Sequence, residues 1–362
     1  MDEDMLLMIP GPTIVPSRVI RAMSKPIIPH RGSEFSSLFL QQIERLKHVF
    51  NTSNDLFILS GSGTAAMEAG LANVIAPGDE VLCLTNGKFS ERFAEIAERF
   101  GATAHILSYE WGHAVEPRDV GDFLAAHPRV KAVTMVFNET STGVRNPVKE
   151  VGEVVSRTSA ILIVDTISAL AGDAFETDAW HVDICATGSQ KCFALPPGLA
   201  FISVSQKAWD VMAATKSHTY YLDLARYRKD KAKAPFTPAV SLVYALEAAL
   251  DIIEEEGMPA RVERHREMAQ IVRDTCKAMG FSLYPTSEDI CSSTVTALRC
   301  PEGVNPSALR KELLGTYNIA IAGGQAQLSD FLIRIGHMGI ASKKDIYATL
   351  ACLERALESA RK

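Results

Sequence analysis

The sequence predicts a doubly wound α/β protein with a mainly parallel central sheet and helices on both faces, followed by a smaller α+β unit. Three observations carry this. Between residues 56 and 203, seven short β-rich runs alternate with helical patterns. The runs are apolar almost throughout, as strands covered on both faces are, whereas half-exposed strands alternate apolar with polar. Beyond Pro238 the alternation gives way to long helical periods and then to strand-like runs set around short helices.

Taken in order, the first seven runs are LFIL (56–59), VLCL (81–84), TAHIL (103–107), VKAVTMV (130–136), AILIV (160–164), VDICA (182–186) and LAFIS (199–203). Between the second and third, Phe89, Phe93, Ile96 and Phe100 keep steps of four, three and four residues, the spacing of one buried helix face. After Pro238 comes a helix carrying Val243, Leu246, Leu250 and Ile253, closed by Gly257. Pro259 suits the first turn of the next helix, which runs to Gly280. The runs TVTALR (294–299), IAIA (319–322) and FLIRI (331–335) flank a short helix around Leu309 and Leu313, and a last helix carries Ile346, Leu350, Leu353 and Leu357. The polar, basic stretch 220–235 keeps no period and reads as a solvated surface loop, suited to lie near a subunit interface.

The chain has 362 residues, which predicts about two domains. Its net charge of −6 and the absence of a basic stripe argue against a nucleic-acid partner. The opening MDEDMLLMIPGP is acidic where a secretory signal would be basic, and the longest uncharged stretch, 192–206, is broken by Pro196, Pro197 and Gly198. A cytoplasmic protein with no membrane span is expected. Seven cysteines, odd in number and without a CxxC pair, disfavour disulfides, zinc fingers and any metal site.

Three features could carry chemistry. GSGTAAMEAG (61–70) follows the first strand and opens a helix, so small residues and a helix N-terminus offer backbone N–H groups to an anion. It also matches the dinucleotide pattern GxGxxA through Gly61, Gly63 and Ala66, although the next strand ends in Leu84, Thr85 and Asn86 with no acid for a ribose. A tight turn without ligand reads the same stretch equally well. Asp165 ends the apolar strand AILIV, where an open α/β sheet places its ligand crevice; an Asp capping a turn is the plainer reading. Lys191, in GSQKCFALPPG (188–198), follows another strand end; it could form a Schiff base or simply be a loop lysine. Together the three supply what an aldehyde cofactor with a phosphate handle requires: an anion cradle, an imine-forming amine, and a carboxylate to keep a ring nitrogen protonated.

With these three motifs stand PGPTIVP (10–16), NGKF (86–89), ETSTGV (139–144), TPAVSLVYAL (237–246) and RIGHMG (334–339). In this order the chain resembles the class V pyridoxal-phosphate aminotransferases of the alanine:glyoxylate and serine:pyruvate type, and the resemblance spans nearly its whole length. It implies a fold-type-I enzyme with a large cofactor domain over 18–250 and a small domain formed by 1–17 and 251–362. It implies pyridoxal 5′-phosphate as cofactor, with Lys191 as the Schiff-base lysine and Asp165 as partner of the ring nitrogen. Ser62, Gly63, Thr64 and Gln190 correspond to phosphate ligands, and Phe89 to a ring against the cofactor face. Thr140, or Ser141 beside it, corresponds to a hydroxyl near the phenolic oxygen. Arg334 corresponds to the residue that grips the substrate carboxylate, with Pro10, Gly11 and Pro12 near the substrate mouth. Thr237 corresponds to a residue reaching the phosphate from the second subunit of a homodimer, although Ala234 stands where some relatives have a tyrosine. His30 and Arg31 correspond to a segment near the partner's site, or to a solvated loop.

The implied reaction moves an amino group from alanine or serine to glyoxylate or pyruvate in two half-reactions. Aspartate, ureidoglycine or 2-aminoethylphosphonate are alternative donors, and Arg31 is the candidate second cation for aspartate or the phosphonate. A cysteine desulfurase would need a cysteine in the stretch AIAGGQAQLSD (320–330), which has none. A nicotinamide dehydrogenase leaves GSQK without a role, and a non-catalytic binding protein leaves Lys191, Asp165 and Arg334 unexplained.

Overall fold

The computed structural model describes residues 5–215 and 217–360. In chain order its strands are β1 (Leu6–Met8), β2 (Asp55–Ser60), β3 (Glu80–Thr85), β4 (Thr103–Ser108), β5 (Val130–Val136), β6 (Asn138–Glu139), β7 (Val144–Arg145), β8 (Ile161–Asp165), β9 (Ile184–Gly188), β10 (Leu199–Val204), β11 (Ser282–Leu283), β12 (Val295–Arg299), β13 (Ile319–Gly323) and β14 (Leu332–Gly336). The seven runs read from the sequence between 56 and 203 all become strands of one sheet, ordered β2-β10-β9-β8-β5-β3-β4. From β9 to β4 the pairing is parallel, and β10 runs antiparallel to both of its neighbours.

Successive side chains of a strand point to opposite faces, and in every strand of this sheet but the edge strand β4 both faces are largely dry. In β3, Leu82 and Leu84 enter one core while Val81 and Cys83 enter the other; in β8, Leu162 and Val164 separate from Ile161 and Ile163 in the same way. One core is covered by helices Ser33–Phe50, Val148–Val155 and Val240–Glu256, the other by Gly63–Ala72 and Lys88–Arg99. This two-sided burial is the reason the runs carry so few polar residues. At Gly70 helix Gly63–Ala72 approaches closely enough that a Cβ would lie 3.0 Å from Ile184.

The second sheet is ordered β1-β13-β14-β12-β11, with β1 parallel to β13 and the remaining pairs antiparallel. It packs against helices Met258–Ala278, Pro306–Tyr317 and Lys343–Ala360. β1 comes from the N-terminus and pairs through Leu6, Leu7 and Met8 with residues 319 to 321, so the PGP segment leaves this sheet and runs across to the larger one.

Two of the elements that differ from the sequence reading are helical. Helix Ser33–Phe50 was not among the predicted elements, although Phe35, Phe39, Ile43, Leu46 and Phe50 mark its buried face. The stretch 220–235, read as a loop, contains helix Leu224–Lys229: Asp223 accepts a bond from the Ala225 amide at 3.1 Å, and Leu224 and Tyr227 are buried under the polar surface. Two buried side chains in six residues leave no period to detect. Tyr220 and Tyr221 ahead of it are exposed.

Candidate active site

Strands β2, β3, β5, β8 and β9 point the same way, so the segments that follow them meet along one edge of the large sheet. A cavity opens there. It is lined by Ser62, Gly63 and Thr64 after β2, Phe89 and Arg92 after β3, Asn138 and Thr140 after β5, Asp165, Ile167 and Ser168 at the end of β8, and Gln190 and Lys191 after β9. Asp165 and Lys191, 26 positions apart in sequence, thus face a common space with the Gly-rich turn.

At one end, Ser62 precedes helix Gly63–Ala72 in extended conformation, and its side chain caps no amide of that helix. The hydroxyl and the first amides of the helix are therefore free to meet an anion. Gly63 is required by close approach, since a Cβ would lie 2.5 Å from Ile167. Gln190 lines the same end, and its Oε1 is buried without a hydrogen-bond partner.

Asp165 is buried and accepts one hydrogen bond, from the Ile167 amide at 2.7 Å. Burial pushes its carboxyl up to about 7, against the smaller opposing effects of that bond and of the Arg92 and Lys191 charges. A carboxylate in such a place calls for a cationic partner within the cavity. Burial also lowers the Lys191 ammonium to about 8, so the neutral amine is accessible near physiological pH. Lys191 Nζ donates to the Pro10 carbonyl, and Thr13 clasps the same loop through Thr13 N to Gln190 O at 3.1 Å and Thr13 Oγ1 to Lys191 O at 3.0 Å. Gly11, at φ +96°, lets this segment pass: a Cβ would lie 2.5 Å from Lys191 Cδ.

Thr140 and Ser141 take different roles. Thr140 lines the cavity and donates to Ser168 Oγ at 2.8 Å, whereas the Ser141 hydroxyl bonds Glu139 at 2.6 Å. Arg334, on β14, is 6% exposed and reaches the turn between β6 and β7, with Nη1 to Thr140 O at 3.0 Å, while Nε bonds Gly323 O of its own sheet at 2.9 Å. Burial lowers its guanidinium to about 10, so it stays charged at neutral pH. Two of its five N–H groups are used by these carbonyls, and the others remain for a carboxylate.

Thr237 is not brought to this cavity. It lies in a separate surface groove with Ile27, Ile28, His30 and Leu242, and Arg31 beside it is exposed. Two residues that matter here were missed by the sequence reading. Arg92 follows Phe89 by three positions, one helical turn, which is the signal that could have placed it in the cavity. Glu139 is fully buried and receives the amides of Phe89, Ser90 and Ser141. Nothing in the local sequence marks it out.

A helix N-terminus with a free serine for a phosphate, a buried carboxyl lacking a cation for a protonated ring nitrogen, and a desolvated lysine for an aldehyde match the parts of pyridoxal 5′-phosphate. The fold and the cavity define a fold-type-I pyridoxal-phosphate enzyme. The description Aminotransferase class-V matches residues 5–342, and the chain belongs to that family. It is 50% identical to an uncharacterised aminotransferase of Methanocaldococcus jannaschii, covering 98% of this chain and 92% of that one. Identity to the serine–glyoxylate aminotransferase of Methylorubrum extorquens is 34%, over 97% and 90% of the two chains. The crystal structure of ureidoglycine–glyoxylate aminotransferase from Bacillus subtilis superposes with a TM-score of 0.95 at 33% identity, covering 100% of this chain and 95% of that one. Among the described residues no helix is long and apolar enough to cross a membrane.

Proposed function

We propose that this aminotransferase moves the amino group of a small amino acid, alanine or serine, to glyoxylate or pyruvate. The observation that carries the reading is the convergence of Lys191 and Asp165 on one cavity, with a single deeply buried arginine, Arg334, anchored at its Thr140 side. Arg334, with N–H groups left over from its two carbonyls, suits a donor with one carboxylate. The names of the relatives from M. extorquens and B. subtilis share glyoxylate, which supports the acceptor.

Pyridoxal phosphate supplies an electron sink for the pair left at the substrate's Cα when its proton departs. The chain's own residues do the rest. Ser62, Gly63, Thr64 and Gln190 would bind the phosphate, Phe89 would stack on the ring, and Thr140, whose proton goes to Ser168 Oγ, would set its hydroxyl oxygen near the phenolic group. Asp165 holds the proton on the ring nitrogen. Lys191 would hold the cofactor through Nζ and, with that amine free, would take the proton from Cα and return it as general base and acid. Arg334 grips the carboxylate bidentately, and Gly11 keeps the wall at the lysine thin enough for that side chain to swing.

We further infer a cytoplasmic homodimer in which Thr237 of the partner subunit completes the phosphate end. Thr237 is remote from its own chain's cavity and sits in a groove with Ile27, an isoleucine left 66% exposed. Five of the seven cysteines are buried and free, which suits a reducing compartment. The test is a panel of amino donors with glyoxylate and pyruvate, run on wild-type protein and on Lys191→Ala. Alanine or serine should turn over fastest, and the variant should lose both turnover and the near-visible absorbance of lysine-bound cofactor. Retention of both by the variant refutes the site; a preference for aspartate refutes the donor.

A further inference from the structure

Arg92 has no place in the mechanism above, yet it lines the same cavity. It is half-buried, one turn into helix Lys88–Arg99, and makes two contacts. Its Nη1 donates to Thr64 Oγ1 at 3.2 Å, and its guanidinium lies over the Phe89 ring, 5.1 Å from the centroid. Neither contact neutralises the charge. Several buried and half-buried arginines elsewhere are matched with carboxylates, Arg45 with Asp251 and Glu254, Arg261 and Arg264 with Glu256. Arg92 has no ion pair among the described residues.

Its neighbour decides which anion it faces. Thr64 stands in the first turn of helix Gly63–Ala72, beside the free Ser62 hydroxyl and helix amides. A helix N-terminus contributes about half a unit of positive charge, while a phosphate monoester carries about −1.5 to −2 near neutral pH. The cradle alone therefore leaves most of that charge uncompensated in a half-closed site. The other cation lining the cavity, Lys191, is taken up as the attachment point. Moreover, a hydroxyl that accepts from a guanidinium turns its own proton elsewhere, and Thr64 also lines the cavity.

We infer that Arg92 is a positioning residue for the cofactor's phosphate: it supplies the countercharge and, through Thr64 Oγ1, aims the threonine proton at a phosphate oxygen. This rests on the cavity being the cofactor site proposed above. It makes the phosphate, and not the aldehyde or ring, the group that senses Arg92.

The experiment titrates full-length, cofactor-free protein with pyridoxal 5′-phosphate and with pyridoxal, which lacks the phosphate, following absorbance. Arg92→Gln should weaken binding of the phosphorylated cofactor about ten- to hundredfold, the range of a lost charge-assisted bond, and leave pyridoxal unchanged. Arg92→Lys should recover part of the loss, and in a Thr64→Val background the effect of Arg92→Gln should shrink. Equal losses for both ligands, or none, overturn the inference. So does an unchanged cofactor affinity with a raised KM for dicarboxylate donors alone, which would assign Arg92 to the substrate. Failure of the wild-type protein to bind pyridoxal 5′-phosphate would instead overturn the site itself.

Discussion

Replacing Asp165 by Asn should make the cofactor-free protein more stable, and only above acid pH. A carboxyl that titrates near 3.8 in the unfolded chain and about 7 in the folded one binds an extra proton on folding throughout that window. Its folded pKa is raised, so the fold loses stability as pH rises from about 4 to 7 and the loss is constant above 7. At 1.36 kcal/mol for each pH unit of displacement the full penalty is about 4 kcal/mol. The amide keeps the shape and can still accept from the Ile167 amide, but carries no charge to desolvate. For a chain of this length about 4 kcal/mol corresponds to roughly 5 °C in Tm. Thermal unfolding of cofactor-free wild type and Asp165→Asn should therefore coincide near pH 4, diverge through pH 5 and 6, and differ by that amount at pH 8. Saturating cofactor should erase the variant's advantage, because a protonated ring nitrogen stabilises the wild-type carboxylate alone. A Tm difference independent of pH would refute the reasoning, since Asp165 would then not be a buried acid lacking a cation.

Two further substitutions probe the walls of the site. Gly11→Ala forces a Cβ to within 2.5 Å of Lys191 Cδ at a backbone φ of +96°; displacement of the lysine by about 1 Å should lower kcat about 100-fold, read by initial rates and by a weakened cofactor absorbance. On the proposed reading Arg334→Gln removes the charged grip on the substrate carboxylate, so KM for the amino donor should rise about ten- to hundredfold while cofactor affinity, measured by titration, stays within about twofold; parallel changes in both would place Arg334 at the cofactor instead.

What the sequence made legible follows a physical division. Six of the seven strands of the large sheet could be read because both faces are buried, so each is a short apolar block; the edge strand β4 has no buried residue. The cradle, Asp165 and Lys191 could be read because each directly follows such a block, and parallel strands bring those ends together. β1 could not: it is three residues long, and its partner residues 319 to 321 lie more than 300 positions away. The part played by Glu139 was equally hidden, because its ligands Phe89 and Ser90 lie about 50 residues upstream and are joined to it only by the folded turn. Thr237 marks the remaining limit: the resemblance gives it a place at a phosphate, yet within one chain it lies outside the cavity.

The two buried carboxyls near the cavity separate scaffold from chemistry. Glu139 receives four donors from the chain, the amides of Phe89, Ser90 and Ser141 and the Ser141 hydroxyl. Gly87 lets it approach, since a Cβ there would lie 2.3 Å from Glu139 Cγ. Those bonds tie the start of helix Lys88–Arg99, and with it Phe89 and Arg92, to the turn whose next carbonyl, Thr140 O, anchors Arg334 from the other sheet. Asp165, by contrast, receives one amide and lines the cavity, and the neighbouring Glu139 charge pushes its carboxyl further up. A fold able to supply four donors to one acid and only one to another, in the same few turns, leaves the second dependent on what binds. The electrostatic strain at Asp165 is thus relieved by a ligand that brings a cation to the end of β8, and the same ligand must bring an anion to the other end of the cavity, where Ser62, the helix amides and the unpaired Arg92 wait.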